Sequence, residues 1–262
     1  VSLLLAAVWA ELLKARRSRL PLLAALGFSL APMMAGLFML ILKNPARARS
    51  LGLLRAKAQL AGGVADWPTY FGLLAQATAV GGALLFAVVT AWVFGREFAE
   101  RTAKELLAVP AGRDAVVAAK FVVVVAIVVA LTATLFAVGL GVGAAVEMPG
   151  WSPRRALRAA RMVGATAALT LALMPPVALL ASAGRGYLAP LGWAILTLFL
   201  AQVVAATGWG SWFPWSVPAL FSGLAGPEGA RVGRHGLALV AATGALGLAG
   251  TFAWWRRADQ PG

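Results

Sequence analysis

The chain has 262 residues and a formal net charge of +14, with 61% apolar and only 12% charged residues. A soluble domain of this size carries about twice that charged share, and the Lys and Arg residues lie between long apolar runs instead of covering a soluble face, which excludes a nucleic-acid binder. With no cysteine and a single histidine, His235, disulfides, iron–sulfur clusters and thiolate- or histidine-built metal sites are excluded as well.

What remains is an all-α integral membrane protein forming one transmembrane domain. At its start, SLLLAAVWAELLKARRSR (2–19) predicts an amphipathic helix in the membrane interface. Trp9 and the leucines face lipid, with Lys14, Arg16, Arg17 and Arg19 at the headgroups. The apolar stretch Val1–Ala10 is followed by charges and not by a small-residue cleavage site, so no cleavable signal is expected.

Crossing the hydrocarbon core as a helix takes ~20 apolar residues. Runs of that kind predict spans at about 20–42, 68–94, 121–146, 162–184, 186–207 and 236–255. None contains an ionisable residue, which argues against a proton or ion relay at depth. Their polar set is Ser, Thr, Gln76 and Gln202. The two glutamines are candidates for a substrate pathway, with hydrogen bonding between helices as the plainer alternative. Pro175-Pro176 predicts a kink in the fourth span. Trp67, Trp92, Trp151, Tyr187, Trp254 and Trp255 stand at span ends, as an aromatic belt does.

The uncharged run Gly186–Pro227 has room for two spans. Pro214, Pro218, Gly223 and Gly226 interrupt its second half too often for a lipid-facing helix. It therefore predicts one span and then a re-entrant hairpin over 209–226. Within that hairpin Trp209, Trp212, Pro214, Trp215 and Pro218 are candidates for a gate, or interfacial anchors. In the segment between the third and fourth spans, WSPRRALRAARM, Ser152 and Pro153 predict a helix start. Arg154, Arg155, Arg158 and Arg161 then share one face, lining an exit path for anionic or amphiphilic cargo or snorkelling to phosphates. An even number of spans places both termini on one side, but Lys and Arg divide twelve to eleven between the sides, so charge alone does not orient the chain.

Between the second and third spans lies GREFAERTAKELLAVPAGRDAVVAAK, Gly95–Lys120. Glu97 with Arg101, Glu100 with Lys104, and Arg101 with Glu105 pair along a helix that Pro110 stops, predicting a charged helix over 97–108. No GxxxxGK[ST] loop occurs in the chain. A rhomboid-type serine protease is disfavoured: Gly208-Trp209-Gly210-Ser211 is followed by Trp212 where that family has Gly, and His235 falls at a span end.

Gly95-Arg96-Glu97, Thr102, Leu106-Leu107, Pro110, Arg113 and Lys120 resemble the loop between the second and third spans of ABC type-2 exporter permeases. The segment ELLKARRSR resembles the elbow helix of that family. FPWSVPALF, Phe213–Phe221, resembles its extracellular re-entrant hairpin, especially in permeases related to antibiotic-peptide export and immunity. That family often has Gly before the loop threonine, where this chain has Arg101.

The resemblance implies a coupling helix docking on a separate ATPase, with Glu97, Phe98, Glu100, Arg101, Lys104, Leu106 and Leu107 as the contact residues. It further implies two ATPase subunits that bind ATP and Mg, a second permease copy (homo- or heterodimer), and no catalytic residue, metal or cofactor in this chain. Location in the bacterial cytoplasmic membrane with both termini cytoplasmic follows from the same source. An amphiphilic or apolar cargo such as a drug, peptide or lipid suits the uncharged spans. Two other classes remain open: an ATP-independent carrier, and a membrane-embedded signalling or immunity component.

Overall fold

The structure, a computed structural model, describes residues 2–43, 64–100, 112–224 and 232–257. Its helices in chain order are α1 Ser2–Arg17, α2 Leu20–Lys43, α3 Trp67–Ala99, α4 Arg113–Ala145, α5 Pro153–Ala172, α6 Pro175–Ala183, α7 Leu188–Ala206, α8 Val217–Phe221 and α9 Arg234–Arg257. Two 3-10 turns, Gly210–Trp212 and Pro214–Ser216, precede α8. Among the described residues six helices, with α5 and α6 taken as one, are long and apolar enough to cross a membrane. The absence of strands among them fits a solvent that offers the backbone no partners.

Helix α3 is the hub. Its span is 56% buried, against 22% for α2 and for α7, and it packs on α2, α4, α5, α6 and α7. The outer helices show lipid the residues that lipid tolerates: Leu22, Leu26, Leu30, Met33 and Leu37 run along the exposed face of α2. Local chemistry sets the helix starts. The Asp66 carboxylate accepts the Thr69 amide at 2.9 Å to cap α3, and the Ser152 hydroxyl accepts the Arg155 amide at 3.2 Å to cap α5. Such caps contribute about 1 kcal/mol each.

Several expectations change. The spans do not stop where the charges begin: α3 carries Arg96 and Glu97 inside its last turn, and α4 starts at Arg113 and carries Lys120. Glu97, Phe98 and Ala99 thus belong to a span helix and not to a separate element, and Gly95 lies within that helix. Gly95 is small because the Gly186 carbonyl oxygen would lie 2.9 Å from a Cβ there. The arginine-bearing segment and the fourth span are one helix, α5.

Pro175-Pro176 ends that helix outright, with Leu173 and Met174 buried between α5 and α6. Trp67 and Trp255, placed in an interfacial belt by sequence, are core residues at 4% and 2% exposure. Gly139 and Gly143 make room for Leu74 and the Trp67 ring.

Helix α1 and the last turn of α9 lie at one end of the bundle. There α1 packs against α4, and Arg256 of α9 pairs with Asp114 of α4 at 2.9 Å. At the opposite end, Lys43 Nζ donates to the Val146 carbonyl at 2.7 Å and the Trp67 amide to the Pro149 carbonyl at 3.1 Å.

Candidate coupling site

The densest chemistry in the chain is a buried ionic cluster at the α1 end. Lys120, in the second turn of α4, is fully buried. Its ammonium donates to Glu97 Oε1 at 2.6 Å, to the Val93 carbonyl at 2.8 Å and to Glu11 Oε2 at 3.3 Å. All three of its donors are therefore used. Glu97 closes the end of α3 and Glu11 comes from the inner face of α1.

Lys14, one turn after Glu11, donates to Glu11 Oε1 at 2.6 Å and to Glu97 Oε1 at 3.4 Å. Arg96 approaches Glu97 at 3.5 Å while lying over the Trp92 ring at 5.0 Å. Two carboxylates thus face three cations across three helices. Burial pushes the Glu11 carboxyl up, but Lys120, Lys14 and Arg96 together outweigh it and hold the group below its usual range.

A second, mostly aromatic contact lies beside the cluster. Phe98 packs edge-on against Trp254, with ring centroids 5.7 Å apart, and also against Trp255. The Trp255 indole donates to Ser182 Oγ of α6 at 3.0 Å. Arg113 donates to the Trp255 and Arg256 carbonyls. The two arms of the Gly95–Lys120 segment are consequently held to α1 and α9, and through Trp255 to α6. Breaking one buried ion pair by removing a single partner costs roughly 3–5 kcal/mol, so Glu11, Glu97 and Lys120 tie α1, α3 and α4 together.

Sequence-derived candidates scatter across this picture. Glu97 is buried inside the cluster, not placed at a rim, and Phe98 is half-buried against tryptophans, whereas Glu100 is exposed. Arg101, Lys104, Leu106 and Leu107 lie outside the described residues. Gln76 is half-buried on α3 and Gln202 exposed on α7. Neither makes a side-chain hydrogen bond to another described residue.

The aromatic candidates divide. Trp209 and Trp212 are exposed, with Trp212 stacked on His235 at 4.6 Å. Trp215 turns inward to Trp193 at 5.6 Å, and Pro218 is buried while Pro214 is half-buried. Ser216 Oγ, donating to the Ala201 carbonyl at 3.0 Å, fastens these turns to α7.

Sequence reading missed Glu11 and Lys120 as partners. The available signal was weak but real: Glu11 is the one acid in a basic amphipathic segment, and Lys120 sits against an apolar run of twenty-six residues, Phe121–Val146.

A family model described as "ABC-2 family transporter protein" matches residues 7–203, most of the chain. The bacitracin transport permease protein BCRB of Bacillus licheniformis is 28% identical over 179 residues, covering 68% of this chain and 85% of that protein. No solved structure matches. The matched region runs from α1 through the ionic cluster and into α7, and over that length the chain belongs to the ABC-2 transporter family, as a multi-pass membrane subunit of an ABC transporter.

Proposed function

We propose that the protein is the permease of an ATP-driven exporter, moving an amphiphilic or apolar substrate out across the bacterial cytoplasmic membrane by alternating access. In this reading Gly95–Lys120 docks on an ATPase that binds ATP and Mg. Two ATPases and two permeases assemble, with the second permease copy identical or related. The α1 end faces the cytoplasm, and α1 lies in the interface as an elbow. The observation that carries the proposal is the ionic cluster, which ties both roots of the docking segment to α1 and to the ends of two spans. It turns a push on the segment into movement of helices. The relative's bacitracin transport favours a peptide or drug-like cargo.

The turns at 209–224 then close the outer side as a re-entrant hairpin. Its inner residue Trp215, and not the exposed Trp209 or Trp212, faces the bundle. Trp212, stacked on His235, and the buried Pro218 flank it.

The test uses the full chain co-expressed with its cognate ATPase. Leu106→Asp combined with Leu107→Asp should lower ATPase retention at least roughly tenfold, the loss expected when interface anchors are removed, while membrane insertion is unchanged. Undiminished retention would place docking elsewhere. Export by the permease without any ATPase would favour an ATP-independent carrier, and resistance or signalling without efflux would favour an immunity component.

A further inference from the structure

At the end of the bundle opposite the ionic cluster, a groove of about 730 Å³ opens between α3, α5 and α8. This volume lies within the range of small-molecule sites. Phe71, Gly72 and Ala75 of α3 and Met162 of α5 form its apolar floor, and Phe221 closes one end. Three cations line it from α5: Arg155, Arg158 and Arg161. Their spacing brings them to one face of the helix. Arg154, adjacent in sequence and equally exposed, is not part of the lining.

The three arginines are not equivalent. Arg155 is anchored, its guanidinium donating to the Gly150 carbonyl. Arg158 and Arg161 make no hydrogen bond or ion pair with the described protein, and none of the described residues lining the groove is acidic. A second groove on the other flank of α5, of about 330 Å³, is lined by Val128, Phe136, Val163 and similar residues without any charge. Positive charge is therefore concentrated in one of two neighbouring apolar grooves.

Arginine forks match phosphate oxygens, and the apolar floor beneath them matches a hydrocarbon chain. We propose that this groove binds a phosphate-headed lipid, its headgroup held by Arg158 and Arg161 and the upper part of one chain lying over Phe71 and Gly72. The inference deepens the exporter reading by giving the amphiphilic cargo an anionic head. The binding step itself does not require transport.

The full-length protein in nanodiscs of phosphatidylcholine, titrated with phosphatidylglycerol and followed by native mass spectrometry, tests it. Wild type should retain phosphatidylglycerol over phosphatidylcholine. Arg158→Gln with Arg161→Gln should weaken that retention by about tenfold or more, as loss of charge-assisted hydrogen bonds implies. Gly72→Leu should also weaken it by filling the floor, because a Cβ there meets nothing within 4 Å and leaves the fold intact. Arg154→Gln should have no effect.

Equal losses for Arg154→Gln and the double variant would mean diffuse attraction to headgroups, and would overturn the site. So would displacement of the lipid by inorganic phosphate at equal concentration, or wild-type indifference to headgroup. ATP-dependent transport by the wild type is measured in parallel. Transport without lipid selectivity would sink this inference alone, and selectivity without ATP-dependent transport would sink the exporter reading alone.

Discussion

Lys120 sets the behaviour of the α1 end because its charge has nowhere to go. It is fully buried, and a lysine in that position is tolerated only with oxygen partners on every donor. Lys120→Met leaves Glu97 with the more distant Lys14 and Arg96, and should lower stability by roughly 3–5 kcal/mol, the usual penalty for orphaning a buried charge. Glu97→Gln should be damaging as well. The double variant should be closer to wild type than the sum of the singles, since each single leaves a charge that the other removes. Thermal unfolding in detergent for the four proteins checks this, and strictly additive losses would mean that the 2.6 Å contact carries no coupling. Sequence showed the individual charges but not their meeting, because Glu11 and Lys120 are 109 positions apart and only the packing of α1 on α4 joins them.

At the scale of elements, the span count was legible because lipid imposes a length on every crossing helix. Helix ends were not. Charge marks the edge of the hydrocarbon, but a helix runs on past it when its charges find internal partners, as Arg96, Glu97 and Lys120 do. The Pro175-Pro176 interruption was legible too, whereas its accommodation was not.

On α9, Gly247 lies against the backbone of Pro175 and Pro176, so close that a Cβ would sit 2.5 Å from Pro176 Cδ. The rigid ring cannot yield. Thr251 meanwhile donates to the Gly247 carbonyl at 2.8 Å and approaches that of Pro175 at 3.4 Å. Gly247→Ala should therefore destabilise by about 1–3 kcal/mol, the range for overpacking. Gly250→Ala, which meets only the terminal methyl of Leu179 at 2.9 Å, should cost less, and Gly27→Ala, facing open space, should be neutral. Melting temperatures for the three variants rank them, and an equal fall at Gly27 would show that the cost is not packing against the break.

For the molecule as a whole, the two ends have opposite characters, and orientation in the membrane decides what each can do. At the α1 end Lys14 and Lys120 pair with Glu11 and Glu97, and Arg256 pairs with Asp114. At the other end Arg158 and Arg161 stand without acidic partners among the described residues. Insertion, however, responds to Lys and Arg in the unfolded loops and hardly to acids, so ion pairs formed later do not count, and the near-equal division of basic residues leaves the matter to function. The docking proposed for the segment rooted at Glu97 and Lys120 would be useful only on the side that holds ATP. The α1 end should accordingly be cytoplasmic and the arginine groove external. The chain has no cysteine, so Glu100→Cys at one end, and Arg154→Cys and Trp209→Cys at the other, all exposed positions, report the sides cleanly. In intact cells an impermeant maleimide should label positions 154 and 209 and leave 100 untouched until the membrane is permeabilised. The reverse pattern would put Gly95–Lys120 out of reach of any cytoplasmic ATPase, and with it the mechanism proposed for this permease.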